Sequence, residues 1–101
     1  MIEYINDQNK FYEFIKEGTV LIDFFATWCG PCKMLSPVIE QVAREHPELK
    51  VVKVDVDEAP AIAAKYGIQA IPTLFLVKDG KVVDTRMGYL NKNQLEGFVT
   101  K

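Results

Sequence analysis

Two cysteines, and no others, stand three positions apart as Cys29-Gly30-Pro31-Cys32. Thiols at that spacing can close a disulfide, supply half of a zinc site, or exchange electrons with another disulfide. As a structural staple the pair is badly placed: in the chain-entropy model a closed loop of four residues gives about 1.9 kcal/mol, against about 4.7 for a loop of 100. Structural zinc takes four ligands, and the chain has no second cysteine pair and a single histidine, His46. Reactivity suits the position better. The pair lies where an apolar run ends and a helical pattern begins, and Pro31 fits a first helical turn. A thiol there faces unpaired N–H donors and a partial positive charge, which favour thiolate over thiol. Cys29 is expected to project outward as the nucleophile. Cys32, one turn into the helix, is expected to be more shielded and to act as the resolving thiol of a mixed disulfide. No metal site is predicted.

Asp23 is the least comfortable residue nearby. It interrupts Val20-Leu21-Ile22 and Phe24-Phe25 in what reads as a central strand, where an unpaired carboxylate is costly and either gains a proton or finds a cation. Two compatible roles follow: an ion pair with Lys53 on a neighbouring strand, or a proton acceptor for Cys32 during resolution. Trp28, beside the reactive cysteine, suits the wall of a docking surface. Gly88 permits close backbone approach, so Met87, Gly88 and Tyr89 are expected to complete a groove around the cysteines. Lys33 is a solvated charge that modestly favours the thiolate, and His46 is a helix-end residue without a catalytic part.

These residues must be held by an alternation of elements. Ile2 to Ile5 reads as a short edge strand. Asn6 or Asp7 caps a helix with Phe11, Phe14 and Ile15 on one face, and Gly18 ends it. Thr19 to Ala26 is a β-branched and aromatic run of the kind buried on both faces. A longer helix from about Pro31 to Glu45 carries Leu35, Val38, Ile39 and Val42 on one side, with Pro37 as a predicted kink. Lys50 to Asp55 is a second central strand, and Pro60 to Tyr66 a short helix capped by Asp57 and closed by Gly67. Asp79-Gly80 joins strands Thr73 to Val77 and Lys81 to Met87. A last helix from Asn91 buries Leu95, Phe98 and Val99, with Gln94 placed for a capping box. This order predicts an α/β fold with a mixed sheet, parallel in its first half, covered by helices on both faces.

Composition narrows the function classes. With 101 residues, 49% of them hydrophobic, the chain is expected to form one domain over 1–101 with one core. Net charge is −2 with no basic run, which argues against nucleic acid as a partner. Asp23 and Lys78 cut the apolar runs far short of the roughly 20 residues a bilayer requires, so no membrane association is expected. Met1 to Lys10 lacks the layout of a signal peptide, and a cytoplasmic location is expected.

The segment Trp28-Cys29-Gly30-Pro31-Cys32-Lys33 resembles the active-site segment of the thioredoxin family. The resemblance continues through Asp23-Phe24-Phe25-Ala26, Lys53, Ile71-Pro72-Thr73 and Gly88, along essentially the whole chain. It implies the thioredoxin fold, with a mixed five-stranded sheet flanked by four helices. It also implies a buried Asp23 beneath the cysteines, and a cis Ile71–Pro72 bond facing them although most X–Pro bonds are trans. A substrate surface of Trp28, Gly30, Pro31, Ile71, Pro72 and Gly88 follows, with Lys53 and Lys33 in support. The implied activity is reduction of protein disulfides by a monomer without a cofactor. A flavin- and NADPH-dependent thioredoxin reductase would supply electrons to it, and ribonucleotide reductase, methionine sulfoxide reductase and peroxiredoxin are the implied acceptors. Phe25 and Ala70 depart from the family, which usually has tryptophan and glycine there. A disulfide-forming relative would usually carry His between the cysteines, which Gly30-Pro31 does not. A pure binding module would not need Cys29, Cys32, Asp23 and Pro72 together.

Overall fold

The β-branched and aromatic run predicted to be central forms strand β2 (Thr19–Phe25), and six of its neighbours in space come from each adjoining strand. The computed structural model describes residues 2–101. Around β2 lie β1 (Ile2–Tyr4), α1 (Gln8–Ile15), α2 (Gly30–Glu45), β3 (Lys50–Asp55), α3 (Pro60–Lys65), β4 (Thr73–Lys78), β5 (Lys81–Met87) and α4 (Lys92–Val99). The sheet has five strands in the order β1-β3-β2-β4-β5. β1, β3 and β2 run parallel, joined by helical crossovers, while β4 and β5 are antiparallel additions.

Alternation along the strands sends two sets of side chains to opposite faces. Leu21, Val51, Leu74 and Leu76 pack against Leu35, Ile39 and Val42 of α2 and Leu95 and Phe98 of α4. Val20, Ile22, Phe24, Val52 and Val54 pack against Phe11 and Ile15 of α1 and Ile62 of α3. Phe14 and Val38, predicted on buried helix faces, are only half-buried at the margins of these clusters. α2 continues through Pro37.

Local chemistry sets the ends of the elements. Asp7 caps α1 by accepting the Lys10 N–H at 2.9 Å. At α4, Asn91 and Gln94 form the reciprocal capping box, each bond 2.9 Å. Asp79 and Gly80 have φ of 50° and 83°, the consecutive left-handed pair that a two-residue hairpin turn requires. The Asp79 carboxylate also accepts the Gly18 N–H at 2.8 Å, tying the hairpin to the end of the first crossover.

One predicted cap is not made. The N-cap position of α3 is Ala59, without a side-chain bond, and Pro60 follows it with no N–H to satisfy. Asp57 is held elsewhere: its own N–H donates to the Asp55 carboxylate at 2.9 Å, and its carboxylate accepts the Trp28 indole N–H at 2.9 Å.

Candidate active site

Strand β2 delivers the chain to the C-terminal edge of the parallel strands, and α2 starts there. Cys29 is the N-cap of α2, with extended backbone (φ −89°, ψ 114°). Its Sγ accepts the Cys32 N–H at 3.2 Å, so sulfur occupies the place an N-cap oxygen usually takes. Pro31 sits in the first turn, where its missing N–H removes one orphan donor. Cys29 and Cys32 are joined as a disulfide, with Cα atoms 5.3 Å apart.

The predicted difference in exposure between the two cysteines is absent in this disulfide form. Each residue is 5% exposed. Cys29 is drawn back over the helix terminus, and Ala26, Phe25, Val56 and Ile71 pack around the pair. What distinguishes the two is position: Cys29 caps the helix and receives its N–H, while Cys32 lies within it.

The Ile71–Pro72 bond is cis, and the Ile71 carbonyl oxygen lies 3.8 Å from Cys29 Sγ. Gly88, at φ 89°, donates its N–H to the Pro72 carbonyl at 2.8 Å, which brings the start of β4 and the end of β5 together beside the disulfide. That φ favours glycine. Trp28 is 68% exposed, and Met34, Met87 and Tyr89 are exposed as well. Sequence reasoning missed Met34 and Val56. Met34 could have been found in the sequence, two residues after Cys32; Val56 comes to the cysteines only through the pairing that sets the end of β3 level with β2.

Asp23 is 1% exposed. β3 pairs with β2 so that Lys53 stands opposite it, and β1 places Tyr4 opposite Lys53. Lys53 Nζ is 3.7 Å from Asp23 Oδ2, an ion-pair distance too long for a hydrogen bond. Among the described residues, no group donates a hydrogen bond to either Asp23 oxygen. Burial pushes the Asp23 carboxyl up to about 6, with the Lys53 charge opposing that rise. The ammonium instead donates to Ser36 Oγ of α2. It also lies 5.2 Å from the Phe25 ring centre and 5.4 Å from that of Tyr4, within cation–π range. Phe25, one of the two family departures, thus forms part of the Lys53 environment. Lys33 is exposed on α2. His46 caps the C-terminus of α2, far along the helix from the cysteines.

The arrangement can take up two electrons by opening one S–S bond, and it presents that bond beneath an apolar rim. The family model described as thioredoxin matches residues 2–101. Thioredoxin of Chlamydia trachomatis serovar D is 46% identical over 101 residues, covering 100% of this chain and 98% of the relative. Thioredoxin of Listeria monocytogenes is 47% identical over 102 residues, with the same coverage of 100% and 98%. Among solved structures, oxidised mitochondrial thioredoxin 3 of Saccharomyces cerevisiae superposes with a TM-score of 0.90 at 38% identity, covering 98% of this chain and 93% of that one.

Proposed function

The chain belongs to the thioredoxin family and is a thiol–disulfide oxidoreductase, and we propose that it reduces protein disulfides with Cys29 as nucleophile, Cys32 as resolving thiol and Asp23 as proton acceptor. Membership implies disulfide-bearing protein substrates and a reductase that restores the dithiol. The observation that carries the assignment is the helix cap: the Cys32 N–H donates to Cys29 Sγ, an interaction that favours negative charge on that sulfur.

In the reduced protein the Cys29 thiolate attacks one sulfur of a substrate disulfide. The substrate S–S bond breaks, a Cys29–substrate disulfide forms, and the departing substrate thiolate takes a proton from water. Asp23 then receives the Cys32 proton, directly or through water. The Cys32 thiolate attacks Cys29 Sγ, releasing the second substrate thiolate and leaving the Cys29–Cys32 disulfide. Two electrons have moved from the protein to the substrate. Trp28, Gly30, Pro31, Ile71, Pro72 and Gly88 form the docking surface, where an extended substrate segment pairs with the Ile71 backbone beside Cys29. Lys53 and Lys33 support the charges.

In this reading residues 1–101 act as one domain and as a monomer, in the cytoplasm. A flavin- and NADPH-dependent thioredoxin reductase supplies electrons, and ribonucleotide reductase, methionine sulfoxide reductase and peroxiredoxin receive them. No helix among the described residues is long and apolar enough to cross a membrane.

Mass spectrometry of two variants tests the order of attack. Cys29→Ser is expected to abolish reduction, whereas Cys32→Ser still attacks and accumulates a mixed disulfide through Cys29. A complex trapped through Cys32 reverses the assignment.

A further inference from the structure

The ammonium of Lys53 has more partners than an ion pair with Asp23 requires. Strand register puts Tyr4, Lys53 and Asp23 in one row across β1, β3 and β2. Residues level with one another in adjacent strands share a face, and α2 covers the inner part of that face. Ser36, one helical turn after Cys32, extends its hydroxyl from α2 to the ammonium. The edge-on Tyr4 and Phe25 rings, 5.9 Å apart, complete the surroundings of Lys53 toward solvent. Outside them lies an open groove of about 420 Å³ flanked by Thr27, Asp55 and Glu58.

An ammonium shared in this way is not free to close on the carboxylate. It rests 3.7 Å from Asp23 Oδ2, whereas a charge-assisted bond would bring it to about 2.8 Å. We propose that Ser36 is a positioning residue which, by accepting the Lys53 ammonium alongside the Tyr4 and Phe25 rings, holds that charge off Asp23 and leaves the carboxylate available to take a proton. The role in the reaction rests on Asp23 being the proton acceptor. Few other groups compete for control of Asp23. Lys53 is the charge on β3; the α2 sulfurs do not titrate as a disulfide; β4 presents Leu74 opposite; and α4 contributes Leu95 and Phe98 to the same face. Tyr4, Asp55 and Glu58 are the titratable groups along the groove outside Lys53.

Ser36→Ala is the informative change, because alanine is the better helix former and the variant is expected to fold. Lys53 is buried, so without the hydroxyl its ammonium closes on Asp23. The strengthened attraction favours the carboxylate by about tenfold, a downward move of about one pH unit in its titration. Carboxyl-detected carbon NMR of the oxidised protein reads this directly, and Ser36→Thr, which keeps the hydroxyl, is expected to restore the original midpoint. The pH at which the mixed disulfide is resolved at half its maximal rate is expected to fall with the Asp23 titration. An unchanged or raised Asp23 midpoint in Ser36→Ala overturns the positioning role and leaves the acceptor assignment standing if Asp23→Asn still slows resolution. A lowered midpoint with an unmoved rate profile overturns the acceptor assignment, and the reaction role of Ser36 falls with it.

Discussion

Asp23 sits among apolar strand neighbours with a cation close by but with no hydrogen bond from it. Burial raises its carboxyl from 3.8 to about 6, so between those values the folded chain holds a proton that the unfolded chain releases. Stability therefore falls as pH rises through that window, and above it the loss is on the order of 3 kcal/mol. Asp23→Asn is expected to flatten this part of the pH profile and to raise stability at pH 7 by about 1–3 kcal/mol, measured by urea melts at several pH values. If Asp23 takes the Cys32 proton as proposed, the same variant is expected to resolve mixed disulfides more slowly. Stability and rate thus move in opposite directions. A variant clearly less stable at pH 7 would make the attraction to Lys53 the main role of Asp23.

Helix α2 does different work at its two ends. At its start the Cys32 N–H meets Cys29, and at its end His46 is the C-cap, its backbone N–H donating to the Val42 carbonyl at a terminus where a cation is favourable. His46 Nε2 contacts Glu96 Oε2 of α4, and Nδ1 lies 3.4 Å from Glu48 Oε1. The Glu96 bond raises the His46 pKa above its ordinary 6.5, with Glu48 contributing in the same direction. For a base shifted upward, the added stability is fully present below 6.5 and is lost as pH rises through the folded value. His46→Gln is expected to be less stable than the parent at pH 6, with the gap narrowing toward pH 9 in thermal melts. A gap independent of pH would mean that the imidazolium does not join α2 to α4. The Asp23 and His46 effects occupy separate parts of the pH axis, so one set of melts distinguishes them.

At the scale of the whole molecule, the sheet divides the interior into two packed layers. Ile39 belongs to the layer under α2 and α4, and Ile62 to the layer under α1 and α3; each is 1% exposed. Removing one methylene from either is expected to cost about 1 kcal/mol. Because the five strands separate them, Ile39→Val and Ile62→Val are expected to add within about 0.5 kcal/mol in the double variant. Denaturant melts of the four proteins in this cycle measure the coupling. A larger interaction energy would mean that the strands transmit packing changes from one layer to the other. That matters for the site, since β2 and β3 carry Asp23 and Lys53 between the layers.

Features that depend on residues within one turn of one another were legible in the sequence. The Asp79-Gly80 turn, the Asn91–Gln94 capping box and the start of a helix at the cysteines are decided by local φ, local donors and hydrophobic period. The order of parallel crossovers was legible as well, because strands separated by helical patterns admit few connections. The cis Ile71–Pro72 bond was not readable from residue chemistry, which favours trans; it followed only from resemblance to the family. Asp57 was misread because a local cap and a distant indole compete for the same carboxylate, and only the folded chain brings Trp28 to it. The equal burial of Cys29 and Cys32 depends on Ile71 and Val56 arriving from other elements. Ser36, Tyr4 and Phe25 met Lys53 from three elements through strand register and the seating of α2. The sequence by itself determined which atoms exchange electrons and where the helix that activates them begins. The tertiary structure decided how far the Lys53 charge stands from Asp23, because that distance is a balance among partners that adjoin one another only after the sheet and α2 have packed.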